Sequence, residues 1–272
     1  MTERTTAPER PPRHAERRGI ALRATLLQSV WNYDTYQGVG FAWAIAPVLE
    51  RLHGDPAVRG RRLLAHLGPY NSNPYLGTIG LGVAARMEEE IARGGAAAAG
   101  AEARLGRLLH ALRGSLGAVG DALFWAAWRP ALGLAAVLGA ILVPGPWAAV
   151  GFLLAFNALA QTVRVRGVRA GFSGGAGVAR VLHDPFWRRA AAAAGILGAA
   201  AAGAAAGAGA AILAAGDGGV PGAAIFFLSV ALLWLAGHFG ARRRFPSPAA
   251  AFLALVILLS AIFHAQRGAL PW

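Results

Sequence analysis

Residues 31–41 interleave aromatic rings (Trp31, Tyr33, Tyr36, Phe41) with hydrogen-bonding side chains (Asn32, Asp34, Thr35, Gln37), just ahead of a long apolar run. Amides donate and accept at once, as neutral sugar hydroxyls do. Aromatic rings add flat apolar faces with polar rims. The mixture suits a site for something both polar and flat-faced, such as a sugar, with Trp31, Asn32 and Gln37 as candidates to line it. A second reading is structural: an interfacial aromatic belt with polar contacts to a neighbouring chain.

Three further groups have chemical potential. Asn71-Ser72-Asn73-Pro74 is a polar turn in which Asn73 caps a helix with Pro74 at its first position, leaving Asn71 freer to line a path. Asp121 is the sole acidic residue between Glu102 and Asp184 and precedes Phe124 and Trp125. An ionisable group in apolar surroundings is a functional candidate, and Asp121 also fits an N-cap. Asp121 with a mobile loop over 114–120 would form a re-entrant gate near the sugar path, and Trp125 is a further candidate to line that path. Glu88, Glu89 and Glu90 sit near a helix C-terminus, where negative charge opposes the macrodipole. They fit either a partner contact or a solvated face paired with Arg86 and Arg93, and His66 fits a structural role or a subunit contact.

The elements that must hold these residues belong to a membrane protein. Of 272 residues 56% are hydrophobic and 14% charged, against about 25% charged in soluble domains, and the mean hydropathy is +0.47. No Asp, Glu, Lys or Arg lies between Arg129 and Arg164, or within 190–216, 218–241 or 245–266. Each window meets the length rule for a helix crossing a bilayer. The net charge of +13 comes entirely from Arg over acid. The Arg residues flank the apolar windows, which fits the positive-inside rule better than nucleic acid. With no Cys there is no disulfide, thiolate metal site or cysteine nucleophile, and with no Lys there is no Walker A loop. The seven His have no metal-ligand spacing. No cofactor, metal or catalytic cluster is expected, which disfavours a membrane-embedded enzyme.

The expected fold is an all-α integral membrane protein. Residues 1–18 form a basic, disordered cytoplasmic tail without a signal-peptide core. Residues 19–130 carry amphipathic and re-entrant helices. Residues 131–272 form a bundle of about four to five short transmembrane helices. Ile20, Ala24, Leu27 and Trp31 share one helical stripe. A helix to Leu52 kinks at Pro47. Asp55 and Pro56 start the next helix, which ends near His66. The helix after Pro74 ends near Arg93, and a Gly/Ala linker runs to Gly100. A short basic helix covers 102–113. Pro144-Gly145-Pro146 turns a hairpin, residues 190–216 form an Ala/Gly helix suited to close packing, and 223–240 and 249–264 are further spans.

These residues resemble subunit IID of the mannose/fructose/sorbose class of the bacterial phosphotransferase system. Four pieces carry the likeness, in order, over residues 23–175. Trp31-Asn32-Tyr33, Gln37 and Gly40-Phe41 resemble the pattern W-N-[FY]-E-x-x-Q-x-x-G-F, with Asp34 in place of Glu. His66-Leu67, Asn71 to Tyr75, Gly82-Val83 and Glu88-Glu89 form the second. Gly114 to Trp125 with Arg129-Pro130 is the third, and Phe156-Asn157 with Gly167, Gly171 and Phe172 the fourth. Ser115, Ala122 and Arg86 depart from the pattern. The resemblance implies a chain that itself carries no phosphohistidine. With an obligate IIC subunit it would form the path for a mannose-type hexose, phosphorylated by separate IIA and IIB domains, in a trimer of IIC–IID pairs. The alternative from another class is a non-transporting membrane scaffold or regulatory sensor derived from such a permease.

The Arg clusters set a topology in the bacterial cytoplasmic membrane. With the N-terminus inside, Arg164 to Arg189 and Arg242-Arg243-Arg244 also fall inside, and the turns at Pro144 and 216–221 fall outside with the C-terminus. A C-terminal alkaline phosphatase fusion is therefore expected to be active and a C-terminal green fluorescent protein fusion dark; the reverse pattern overturns the topology.

Overall fold

The computed structural model describes residues 14–94, 98, 100–143 and 145–215. The expected spans 223–240 and 249–264 and most of the N-terminal tail lie outside the described residues. Residues 14–23 form α1 (His14–Arg23), extended by one 3₁₀ turn. Ile20, Ala24 and Leu27 are buried, as their shared stripe requires, but Trp31 is 42% exposed because the chain has turned away before it. Then come α2 (Gly38–Leu52), which runs unbroken through Pro47, and α3 (Pro56–Ala65). The start of α3 follows from its cap: the Asp55 carboxylate accepts from the Ala57 amide, and Pro56 lacks only a donor that the first turn would leave idle.

Helix α4 (Gly77–Arg93) is the hub. It packs against α2, against α5 (Ala101–Leu123) and, most extensively, against α7 (Trp147–Gly174). Its residues from Gly77 to Ala85, then Met87, Glu88 and Glu89, are all buried. The core gathers Phe41, Ile45 and Leu49 of α2, Ile79, Leu81 and Met87 of α4, Leu116 and Leu123 of α5 and Val168 of α7. The α4–α7 crossing is held close by glycine. A Cβ on Gly82 would collide with the Val168 carbonyl, and one on Gly171 with the Ile79 carbonyl. Both obstacles are backbone, so neither can swing aside, and small residues are what such a crossing needs.

The expected loop over 114–120 does not exist. Helix α5 runs through it, continues as one π turn (Phe124–Trp128) and passes directly into α6 (Arg129–Leu142). Three glycines weaken a helix in water, but next to an apolar phase every backbone group must find its partner within the segment, and an unbroken helix does that. Pro130 accounts for the π turn. Its ring clashes with the carbonyl four residues back, and the widened turn, in which the Arg129 amide donates to the Phe124 carbonyl, makes room.

Helices α6 and α7 pack together as the expected hairpin. Helix α8 (Ala179–Leu182) leads to α9 (Pro185–Ala215), which covers the Ala/Gly run. The chain divides after Ala201, and of the second unit the described residues are the helical 202–215. Two stretches, Ala101–Ala140 and Trp147–Gly174, are long and apolar enough to cross a membrane, and their most apolar windows are only 17% buried within the chain. The core helix of a soluble protein would be mostly buried, so these helices face an apolar phase or another chain.

Gly171→Ala is expected to lower stability by about 1–3 kcal/mol through overpacking. Gly151→Ala, on the same helix with open space around it, leaves stability unchanged. Thermal melting of the detergent-solubilised variants reads the difference.

Candidate functional site

Asn32 organises its own loop. Its side-chain oxygen accepts from the amides of Asp34 and Thr35 at 3.0 and 2.8 Å, and its nitrogen donates to the Thr35 hydroxyl at 2.9 Å. This is the local bonding that makes Asn a turn residue. The turn brings Tyr36 back to pair with Asn32 through both backbone bonds, at 3.2 and 2.9 Å. Tyr36 takes φ +55°, a left-handed conformation rare outside glycine. The conformation is held because the Gln37 amide donates to the Tyr70 carbonyl and the Tyr70 amide to that of Thr35, at 2.8 and 3.1 Å.

Gln37 is fully buried. Its side-chain nitrogen donates to the Ser72 carbonyl at 2.6 Å, and its oxygen accepts from the Ser72 amide at 3.1 Å. The amide thus behaves as a detached piece of backbone, clasping the first motif to the second. Gln37 and Asn32 were expected to line a sugar path. Instead their hydrogen-bonding groups are engaged inside the chain, because a loop and a turn without regular structure need side-chain amides to satisfy buried backbone groups.

Asn73 extends the clasp. Its oxygen accepts from the Tyr75 amide at 3.1 Å, and its nitrogen donates to the Asp121 carboxylate at 2.9 Å. The capping role holds, although regular helix begins only at Gly77 after one turn. Gly120 is required here: a Cβ would occupy the space of the Asn73 side chain. Asp121 sits in the last turn of α5, where the helix runs on into the π turn, exposed, and is no N-cap.

Rings complete the junction. Tyr75 packs on Phe124 at 4.3 Å between centroids, on Phe156 at 5.7 Å and on Trp125 at 5.9 Å, and the Arg164 guanidinium lies over the Tyr75 ring at 4.7 Å. All four sequence motifs thus meet around the start of α4. Exposed at this junction are Asn71, Asp121 and Trp125, and exposed in the neighbouring loop are Trp31 and Tyr33, whose rings contact each other at 4.9 Å.

Glu88 and Glu89 were expected at a partner contact or on a solvated face, and His66 in a structural role or at a subunit contact. All three are buried within this chain. Arg62 donates to Glu88 through Nε at 3.0 Å and Nη2 at 2.6 Å, His66 Nε2 lies 2.8 Å from the same carboxylate, and Arg62 Nη1 reaches Glu102 at 2.9 Å. Glu89 pairs with Arg51 at 2.8 Å, and Arg51 also binds Glu16 at 2.8 Å. The helix that carries the acids is wrapped by others, so the charges must be paired inside. Burial pushes the Glu88 carboxyl up, but the hydrogen bonds and charges of His66 and Arg62 outweigh it and hold the group at about 2. Arg62 is the partner that sequence reading missed. Its signal was its place one helical turn before His66, on one face of α3. Tyr75 and Arg164 were missed because sequence spacing did not reveal their contact.

Among the described residues no group of three His, Asp or Glu could hold a metal ion. What the junction offers is rings and hydrogen-bonding groups on a rigid frame, which is binding chemistry.

The Glu88 cluster sets an acid limit on stability. A carboxyl depressed from 4.5 to about 2 stabilises the fold above its unfolded value, and that contribution is lost as pH falls from about 4.5 through about 2. Glu88→Gln is expected to cost about 3–5 kcal/mol at neutral pH by removing the buried carboxylate that Arg62 and His66 share and to flatten that acid limb. Melting curves at stepped pH check both.

The whole chain can now be set beside known proteins. Residues 13–212 match the family model described as PTS system mannose/fructose/sorbose family IID component. The chain is 31% identical over 198 residues to the PTS system mannose-specific EIID component of Escherichia coli (strain K12), covering 71% of this chain and 67% of that protein. It is 31% identical over 183 residues to the fructose permease IID component of Bacillus subtilis (strain 168), covering 65% and 63%. The match therefore spans about two thirds of the length of these relatives. In fold the chain resembles a chain of the mannose transporter ManYZ, solved by cryo-EM in complex with microcin E492, with TM-score 0.57 and 22% identity over 97% of this chain and 100% of that one. It also resembles a chain described as a membrane protein, with TM-score 0.63 and 23% identity over 95% and 98%. The motifs that converge on α4 lie within the matched residues, and on this match the chain belongs to the IID components of the mannose/fructose/sorbose family of the phosphotransferase system.

Proposed function

We propose that this chain is the IID subunit of a sugar permease, lying in the bacterial cytoplasmic membrane and forming with a IIC subunit the path for a mannose-type hexose. Phosphoryl transfer belongs to separate IIA and IIB domains, and this chain contributes walls and position but no nucleophile. The assembly is a trimer of IIC–IID pairs with the N-terminus of this chain cytoplasmic and its C-terminus outside. The tail over residues 1–18, the helical region 19–130 and the transmembrane bundle 131–272 act as one IID-type unit.

One observation carries this reading. The exposed groups at the junction, Asn71, Asp121 and Trp125, stand on a frame in which Gln37, Ser72 and Asn73 are locked by hydrogen bonds. Polar groups that meet sugar hydroxyls work best when the supporting shell holds their geometry. The site is one-sided, so a second chain must close it. A mannose-specific relative and a fructose permease relative support the sugar class. Within the site, Asp121 accepts sugar hydroxyls and Trp125 stacks on the ring, with Trp31 and Tyr33 available to the partner.

Co-expression with the IIC subunit from the same genome is expected to restore uptake of radiolabelled mannose in a strain lacking its own permease, and neither chain alone is expected to do so. Asp121→Asn is expected to assemble normally and to lower uptake about tenfold, the worth of one charge-assisted hydrogen bond. Uptake at the wild-type rate would remove Asp121 from the path.

A further inference from the structure

The residues between Arg129 and Arg164 contain no charge at all. They form the α6–α7 hairpin, whose arms pack together. Helix α6 has 14 residues, about 20 Å. From Trp147 to Arg164 α7 climbs about 26 Å. With the turn between them the arms come near the ~30 Å of a hydrocarbon core. Arg129 and Arg164 therefore stand at the same end of an uncharged, membrane-deep hairpin, at its base.

Both arginines lack a carboxylate partner among the described residues. Arg164 is only 8% exposed, and its Nε is buried with no hydrogen-bond partner. Its one contact with a π face is Tyr75, at 4.7 Å. Arg129 is exposed and lies over Trp125 at 5.4 Å. Both guanidinium groups act on the Tyr75 phenol, although burial dominates and pushes that phenol up. The two cations thus lie over neighbouring rings, Arg164 over Tyr75 and Arg129 over Trp125, whose centroids are 5.9 Å apart, and among the described residues no carboxylate answers either. A buried unpaired charge is costly enough that something must compensate it. Elsewhere in the chain, Arg51 and Arg62 are each answered by two acids.

The place of this pair selects the anion. Tyr75, Trp125 and Trp128 surround the base of the hairpin or lie in its first turn, and Trp and Tyr are the residues of the membrane interface. Basic pockets between membrane helices take lipid headgroups there. A carboxylate from another chain would answer the charge, but it would not account for the interfacial rings or the hairpin's depth. We propose that Arg129, Arg164 and Tyr75 form a binding site for the phosphate of an anionic phospholipid at the base of the α6–α7 hairpin.

The site is independent of which sugar, if any, the chain helps to carry. The full-length chain, extracted in mild detergent and delipidated, is titrated with phosphatidylglycerol and read by native mass spectrometry. Saturable retention by the wild type is expected, with about a five-fold loss for Arg129→Gln and again for Arg164→Gln, and no retention of an uncharged diacylglycerol. Should Arg164→Gln fail to fold, the exposed Arg129→Gln decides alone. Retention equal to wild type in Arg129→Gln overturns the site. Thermal protection by inorganic phosphate that depends on both arginines, without lipid retention, assigns the site to a soluble anion and overturns the lipid. Loss of co-purification with a partner subunit in Arg164→Gln, with no lipid retained by the wild type, assigns the charge to a partner carboxylate and does the same.

Discussion

Helix α4 is enclosed on nearly every side, and that enclosure dictates the rest of this chain. A helix wrapped by three others has no surface on which to leave a charge unpaired or a bulky side chain unplaced. Its N-terminal half therefore carries Gly82 against α7, which presents Gly167 and Gly171 in return, so that two backbones pass within contact distance, while Gly77 and Gly80 make room for Leu27 and Tyr70. Its C-terminal half keeps two acids, Glu88 and Glu89, but each is answered by arginine from α2 or α3. The same acids on an exposed helix would contribute almost nothing. Buried, they fix how α2, α3 and α4 sit against one another, because stranding one partner is costly.

The junction at the head of α4 follows from the same enclosure. A helix start has amides without partners, and here water cannot supply them. Asn73 does so, and its remaining donors would be stranded without Asp121 on α5. Gln37 does the equivalent for Ser72. These amides are consumed by architecture, which leaves the neighbouring Asn71, Asp121 and Trp125 as the groups that face outward from a rigid support. Binding chemistry and structural chemistry thus use the same residue types a few positions apart.

That division explains what was legible in the sequence. Asp55-Pro56 marked the start of α3, and Arg93 the end of α4, because local capping and chain punctuation decide them. The hairpin of α6 and α7 was legible for the same reason, and the four motifs carried the family. The segment 114–120 was not. Its glycines argue for a loop in water, whereas beside an apolar phase the backbone's own hydrogen bonds prevail. Glu88 and Glu89 were misplaced because burial is a tertiary property: nothing in the spacing of Glu88, Glu89 and Glu90 tells a wrapped helix from a bare one. The roles of Asn32 and Gln37 were missed because an amide that suits a sugar hydroxyl suits a backbone carbonyl equally well.

Helix α7 shows how much of this chain's surface is still waiting for an environment. Along its exposed side Leu153 and Leu154 are followed by Asn157 and Gln161. Among the described residues Asn157 donates only to the Leu153 carbonyl, at 2.8 Å, which employs one of its two donors and none of its acceptor. A face turned wholly to lipid would leave the rest of that amide unanswered at a cost of about 1–3 kcal/mol. The helix thus has an apolar side suited to lipid and a polar stripe suited to another protein or to water. The same asymmetry marks the head of α4, where rings and acceptors stand exposed on one side of a packed core. Both features make physical sense in a membrane subunit whose outer polar groups are completed by a second chain.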